Sequence, residues 1–172
     1  MQDFADARVT EFGKQQCANL KAGNHGLEDA KLVVVSSLSR AIQTALLSIE
    51  QVPGVPWIAL DCARERAGQH PCDGRRPVHD LKKNFPTITF DNIVDDEDKL
   101  YDALGNERET EDALIKRGQE LLTWLGERPE TNIVVVTHSS FLSCLFNNVV
   151  VAPAHLGKWF KNCELRTVYM DL

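Results

Sequence analysis

The sequence lacks the features that mark several large classes of protein. No stretch approaches the roughly 20 consecutive apolar residues of a membrane-spanning helix. The five cysteines are scattered and form no CxxC pair, which argues against a disulfide framework. We therefore expect free thiols in a reducing compartment. The polar N-terminal segment shows no signal peptide, which favours a cytoplasmic location.

Familiar metal and catalytic motifs are also missing. Cys62, His70, Cys72 and His79 lie close in the sequence, but their spacing fits no common zinc pattern. The sequence contains no GxSxG, HExxH, P-loop or GxGxxG motif. Cys144 could mimic a Cys–His pair with His138, but it lies six residues further along one strand–helix unit, so we expect it to pack in the helix.

Positive charge is in deficit. The chain carries 19 Lys and Arg against 25 Asp and Glu, a net charge of −6. This balance disfavours nucleic acid and anionic membranes as partners, while a local basic pocket could still bind a small anion. The acidic block Asp95–Asp98 lacks the spacing of a calcium loop, and we expect a solvated loop there.

What is present is an ordinary globular composition, with 43% hydrophobic and 26% charged residues over 172 positions. At roughly 150 residues per domain, we expect one domain over 1–172. Apolar patterns and capping residues predict strands that alternate with helices, which implies an α/β domain with a mostly parallel sheet. The predicted strands are Leu32–Ser36, Trp57–Leu60, Asn132–Thr137 and Leu165–Tyr169; the predicted helices are Glu11–Ala22, Ser39–Glu50, Asp80–Asn84 and Thr110–Glu127, with an irregular excursion over 66–80.

Polar side chains follow three of these strands, and such strand ends carry the sites of parallel sheets. Arg40 opens the helix after the first strand, where it could grip a phosphate beside free helix N–H groups or simply lie on the surface. His138 could bind phosphate, transfer a proton or cap the core. Glu65 could be a general acid, or a salt-bridge partner of Arg64 or Arg66. Together, Arg40, His138 and Glu65 suggest phosphoryl transfer.

Five segments in the right order resemble the histidine phosphatase superfamily, whose fold is phosphoglycerate-mutase-like. Serines replace a proline and two glycines of the family pattern, at Ser37, Ser139 and Ser140. The resembling segments are Val9–Cys17 (family L-T-x-x-G-x-x-Q-A), Val35–Ala45 (V-S-P-L-x-R-A-x-Q-T-A), Glu65–Gly68 (E-R-x-x-G), Val136–Ser140 (V-T-H-G-G) and Asn162–Arg166 (N-x-E).

The resemblance implies a three-layer α/β/α sandwich and a reaction that needs no metal or other cofactor. It assigns phosphate binding to Arg40 and His138, to which we add Ser139 at the start of the following helix. It makes Glu65 the proton donor, so that the predicted catalytic residues are Glu65 and His138. In the family, a phosphohistidine forms and is then cleaved by water, or in mutases passes to another hydroxyl.

The family's nucleophilic histidine, in an R-H-G or R-H-A motif, has no counterpart here. The five histidines are His25, His70, His79, His138 and His155, and none of them follows an arginine. We therefore expect the first family strand and its nucleophile to lie upstream of Met1, which would make the domain over 1–172 incomplete at its N-terminus. The alternative is a degenerate, inactive relative.

The sequence thus predicts a phosphatase for a small phosphorylated substrate, or else a non-catalytic phosphoanion-binding or scaffold protein. Four arginines in and beside the excursion could contact a multiply charged substrate or could merely balance surface charge. They are Arg64, Arg66, Arg75 and Arg76. The oligomeric state is not readable from the sequence.

Overall fold

A parallel sheet lies at the centre of the fold. The computed structural model describes residues 4–23 and 25–172; the first part of the polar N-terminal segment, 1–3, and Asn24 lie outside them. The strands are β1 (Leu32–Ser36), β2 (Trp57–Leu60) and β3 (Ile133–Val136), in the order β2-β1-β3. All are β-branched or otherwise apolar runs, which suit strands covered on both faces. These three predicted strands are confirmed within a residue at each end.

Helices follow each strand and cover the sheet. The four predicted helices are confirmed, although two begin or end two residues from the expected position. The side chains of Thr10 and Thr110 cap α1 and α5 by accepting from the N–H groups three residues on. The helices are α1 (Glu11–Ala22), α2 (Ser39–Ser48), α3 (Val78–Asn84), α4 (Lys99–Leu104), α5 (Glu111–Gly126) and α6 (Ser139–Cys144), the last continued by a π-helical turn over Leu145–Val149.

Two apolar clusters, one on each face of the sheet, form the core. On one face, Val33 and Val35 pack with α2 and α3, and α1 lies against α2. On the other face, Leu32 and Val34 pack with α5 and α6. The side chains of a strand alternate between faces, so β1 feeds both clusters. The predicted α/β class, with helices on both faces of a parallel sheet, is confirmed.

The two outer edges of the sheet differ. Beyond β2, Thr89 pairs with the strand: its N–H donates to Trp57 O and its carbonyl accepts from Ala59 N, both at 2.8 Å. Beyond β3, no residue within 4–23 or 25–172 pairs with the backbone. We call these the closed edge and the open edge. All five residues of β1 are buried, whereas all four of β3 remain partly exposed.

The predicted strand Leu165–Tyr169 is wrong. These residues adopt no regular structure, although their composition favours a strand. A strand needs ladder hydrogen bonds to a neighbour, and this segment pairs with none of the described strands. Instead, Arg166 Nη1 donates to the carbonyl oxygens of Leu156 and Lys158, each at 2.8 Å.

The excursion is irregular, as predicted, but it is held firmly. Gly68 has a φ of +99°, and a Cβ there would lie 2.0 Å from the Glu107 carbonyl oxygen, so only glycine allows this close approach. The acidic block is not simply solvated, because Asp98 is buried. Asp98 also caps α4, a helix that the sequence did not predict, by accepting from Tyr101 N.

Candidate functional site

The carboxyl ends of β1 and β3 bring Ser36 and His138 together. The two strands are adjacent and parallel, with Val35 opposite Val136, so the residues that follow them meet at one edge of the sheet. His138 Nε2 lies 2.8 Å from Ser36 Oγ, and both side chains are buried. The predicted histidine therefore lies inside the protein at the strand ends, beside a serine that the sequence analysis did not single out.

Burial and positive charge both act on His138. Burial lowers the pKa of the imidazole well below its usual value, and the guanidinium groups of Arg40, Arg117 and Arg64 lower this pKa further. The imidazole is therefore neutral at physiological pH. No hydrogen bond joins His138 to Arg40 within the described residues, so these two predicted phosphate ligands are related here only through this effect of charge.

Arg40 lies in the first turn of α2 but turns toward the excursion. Its Nη1 donates to Cys72 O at 2.5 Å, and its Nη2 lies 3.8 Å from Asp73 Oδ1. About a quarter of its side chain is exposed. Burial raises the pKa of Asp73, although Arg40 opposes that rise. Arg40 is therefore neither a free surface group nor a fully paired one.

Glu65 lies against the first turn of α6. Its carboxylate accepts from Phe141 N at 3.0 Å, from Ser140 N at 3.3 Å and from Arg66 N at 2.9 Å. The structure thus brings Glu65 to the residues that directly follow His138. No ion pair joins it to Arg64 or Arg66 within the described residues. A carboxylate in this place stabilises the helix end.

Ser139 opens α6, and its hydroxyl is already used. Its Oγ donates to Phe160 O at 2.9 Å, which joins the site to the C-terminal part of the chain. At Ser37, another position where serine departs from the family pattern, the hydroxyl donates to Asp61. Each of these serines therefore makes a hydrogen bond that the glycine or proline could not make.

The N-terminus of α2 is not free, contrary to the sequence expectation. Asp6, which is buried, accepts from Ser39 N at 2.7 Å and from Ser39 Oγ at 2.5 Å. The N–H groups of Ala41 and Ile42 both donate to Leu38 O. Carboxylates thus lie at the start of both helices that follow the site strands, Asp6 on α2 and Glu65 on α6.

Two of the arginines that act on His138 are held in buried ion pairs. Arg64, which is fully buried, donates to both carboxylate oxygens of Asp98 at 2.7 and 2.6 Å. Arg117 makes the same two-bond contact with Glu109, at 2.7 Å for each bond. The arginine partners hold the pKa of Asp98 and of Glu109 below its usual value, against the opposing effect of burial.

Arg117 also positions the predicted acid. Its Nη1 donates to the carbonyl oxygens of Cys62 and Arg64, and its Nη2 donates to that of Glu65. The sequence analysis missed this residue, although it left a signal. Arg117 follows Leu114 by three residues and precedes Leu121 by four, so a charged group lies on the apolar face of α5.

The arginines of the excursion divide into two groups. Arg64 and Arg75 are buried, and Arg75 holds the acidic block by donating to the carbonyl oxygens of Asp95, Asp96 and Glu97. Arg66 and Arg76 remain partly exposed. Their side chains also make bonds within the protein: Arg66 donates to Glu109 O at 2.7 Å, and Arg76 donates to Ala5 O at 3.3 Å.

Neither a cluster of metal-binding side chains nor a membrane-spanning helix is found in the described part of the chain. No group of three or more His, Cys, Asp or Glu side chains within 4–23 and 25–172 is arranged to hold a metal ion. No helix among the same residues is long and apolar enough to cross a membrane.

The sequence comparisons with known proteins agree on one family. A sequence model of the histidine phosphatase superfamily, branch 1, matches residues 1–171. Phosphoglycerate mutase-like protein 1 from Arabidopsis thaliana is 32% identical in an alignment of 201 positions, gaps included, that covers 96% of this chain and 71% of the relative. A second Arabidopsis thaliana relative, phosphoglycerate mutase-like protein, is 31% identical, with 97% and 74% covered.

One solved structure supports the same fold. It belongs to an Escherichia coli protein described as a candidate alpha-ribazole-5'-P phosphatase. The two chains superpose with a TM-score of 0.55 at 25% sequence identity, over 88% of this chain and 72% of the other.

Proposed function

The chain belongs to the histidine phosphatase superfamily, and we propose that it provides the phosphate-binding part of a phosphatase that hydrolyses a small phosphomonoester. The observation that carries this proposal is the meeting of His138 with the end of β1, within the field of Arg40. The named activity of the Escherichia coli structure supports the reaction class. Substrate and mechanism are our inference.

The proposed phosphate pocket lies at the ends of β1 and β3. Positive charges that disfavour a charged His138 would favour a phosphoryl dianion in the same place. The neutral imidazole has one N–H to donate, and Arg40 can offer two parallel bonds to phosphoryl oxygens once it turns away from Cys72 O and Asp73. Both groups would stabilise negative charge on those oxygens during transfer. A bound phosphate should in turn raise the pKa of His138.

Glu65 is the proposed proton donor to the leaving oxygen. Arg117 holds its backbone, and the first turn of α6 holds its carboxylate beside the residues after His138. To act as an acid, Glu65 must leave those N–H groups at least in part and take up a proton. The alternative reading, that Glu65 only caps α6, predicts that Glu65→Gln preserves activity.

The nucleophile is proposed to come from a strand outside these 172 residues. The open edge of β3 can accept a further parallel strand, whose carboxyl end would then lie beside His138. A histidine at that end could attack phosphorus, release the alcohol with a proton from Glu65, and pass the phosphoryl group to water. We infer that one domain, formed by 1–172 and that strand, carries the whole site.

Turnover of p-nitrophenyl phosphate tests this proposal. We expect no His138-dependent turnover from the 172-residue chain and clear turnover from a chain extended upstream to include an Arg-His-Gly or Arg-His-Ala strand. In the extended chain, Arg40→Gln should lower kcat/KM by about 100-fold or more. The matched control, Arg8→Gln, should leave it unchanged. If the 172-residue chain hydrolyses the substrate and His138→Gln abolishes that activity, the proposal that the nucleophile lies outside this chain is contradicted.

A second candidate function is phosphoanion binding without turnover. The contacts of Glu65 favour it, because backbone N–H groups of α6 hold its carboxylate as a helix cap rather than leave it free to meet a leaving group. Binding of inorganic phosphate, measured by the pKa of His138 in NMR titrations, separates the two. Binding that depends on Arg40, with no turnover by the extended chain, would support this second function.

A further inference from the structure

Two cysteine thiols from distant parts of the chain lie in contact. Cys17 Sγ, on α1, is 3.7 Å from Cys163 Sγ, in the segment after Phe160, and 146 positions separate the residues. We propose that Cys17 and Cys163 form a reversible disulfide that low-molecular-weight disulfides such as glutathione disulfide can make. This inference does not depend on the proposed phosphatase activity.

The contact is close to bonding geometry. A disulfide has an S–S length near 2.05 Å, so the two sulfur atoms must approach by about 1.7 Å. Both residues are held in place: Cys17 is fully buried in the middle of α1, and Cys163 lies in a tight turn. In that turn, Lys161 N donates to the Glu164 carboxylate at 2.8 Å, and Glu164 N donates to Lys161 O.

Only one of the two thiols is accessible. Cys163 is partly exposed and lines an open groove of about 530 Å³ with Gln16, Asn19 and His25. Cys17 is fully buried. An oxidant can therefore reach Cys163 first, and Cys17 is in position to attack the resulting mixed disulfide before a second reagent molecule arrives.

Cys163 is a neutral thiol at physiological pH. Burial, together with the neighbouring Cys17, raises the pKa of Cys163 to about 11. The thiolate is the nucleophile in thiol–disulfide exchange, so formation of the disulfide is slow at neutral pH. We therefore expect Cys17 and Cys163 to equilibrate slowly with the glutathione pool.

The disulfide forms through two successive thiol–disulfide exchanges. The Cys163 thiolate attacks glutathione disulfide, an S–S bond forms to one glutathione, and the other leaves as a thiolate. The Cys17 thiolate then attacks Cys163 Sγ, and the second glutathione leaves. The protein loses two protons and two electrons, and one glutathione disulfide is reduced to two thiols. Glutathione reverses both steps.

The bond would tie α1 to a segment that already contacts the candidate site. Phe160, three residues before Cys163, accepts the Ser139 hydrogen bond, and the Arg166 guanidinium lies 3.6 Å from the centre of the Phe160 ring. A cross-link that closes a loop of this length restricts the unfolded chain strongly. We expect the oxidised form to melt roughly 5–10 °C higher.

The test is a redox titration of the folded chain in glutathione buffers, followed by alkylation and mass spectrometry. We expect the monomer to lose two hydrogens, two alkylatable thiols and no others, with peptides containing Cys17 and Cys163 cross-linked. Cys17→Ser and Cys163→Ser should both abolish the loss, and Cys62→Ser, the control, should not. Five free thiols at equilibrium, stable glutathione on Cys163 with Cys17 free, or a cross-link between other cysteines would overturn the proposal.

Discussion

Two paired strands of one sheet, the central β1 and the outer β3, show how far neighbours, rather than composition, decide burial. β1 and β3 have nearly the same residues, Leu-Val-Val-Val-Ser and Ile-Val-Val-Val, and they pair with each other. Yet β1 is fully buried and β3 is not. β1 has a paired strand on each side, and on the closed edge Thr89 also pairs with β2. On the open edge, a fully apolar strand lacks a second partner among the described residues.

An unpaired, apolar edge strand promotes aggregation in water, because its free N–H and C=O groups can pair with another chain. In a parallel sheet, both faces and both edges of a central strand are normally covered. The partly exposed β3 therefore resembles an interior strand without its outer neighbour. That difference motivates the proposal that a further strand completes the sheet and the site together.

The largest expected effect concerns a fully buried ion pair. Arg64→Met would leave Asp98 buried without its arginine partner, which should lower the free energy of unfolding by about 3–5 kcal/mol. Arg166→Met removes a more exposed arginine that pairs with Glu164, and the loss should be much smaller. Chemical denaturation of both variants measures the contrast, and equal losses would contradict the claim that burial decides the cost.

A pair of valines tests the strands directly. Val34 in β1 and Val135 in β3 are register partners on the same face, so they differ mainly in burial. Val34→Ala should cost about 2–3 kcal/mol of unfolding free energy, and Val135→Ala about half of that or less. Denaturation midpoints at constant m-value provide the measurement. If an added upstream strand pairs with β3, the cost of Val135→Ala should rise toward that of Val34→Ala.

A smaller effect concerns pH, because the end of β3 carries a buried histidine. The lowered pKa of His138 means that the unfolded chain takes up its proton near pH 6.5 while the folded chain does not. Stability should therefore fall as pH drops below about 6.5, by up to about 1.4 kcal/mol per pH unit. His138→Gln should flatten the curve between roughly pH 6.5 and 5, whereas the exposed control His155→Gln should not. An unchanged slope in His138→Gln would place the imidazole in solvent.

Local signals predicted most of the fold. Thr10 and Thr110 mark helix starts, and β-branched runs mark strands, because each signal acts within a few residues. The wrong strand, Leu165–Tyr169, shows the limit: its composition favours a strand, but pairing depends on a partner that the described residues do not provide. Strand formation is a non-local event, and no pattern within the segment reveals its neighbour.

Sequence patterns could select residues for the candidate site, but they could not predict the contacts of those residues. Arg40, Glu65 and His138 could be chosen because each follows a strand. The roles of Asp6 and Ser36 were not predicted, because their partners Ser39 and His138 lie 33 and 102 positions away. Contacts over such distances depend on the tertiary fold and leave no short motif.

Amide hydrogen exchange at β3 tests the central claim that a further strand, outside these 172 residues, pairs with its outer edge. Alternate N–H groups of an edge strand point away from the sheet. In the 172-residue chain, alternate amides of Ile133–Val136 should exchange at least about 100-fold faster than the amides of β1, and in the upstream-extended chain they should become protected. Slow exchange of all β3 amides in the short chain, or no new protection in the extended chain, would contradict the account.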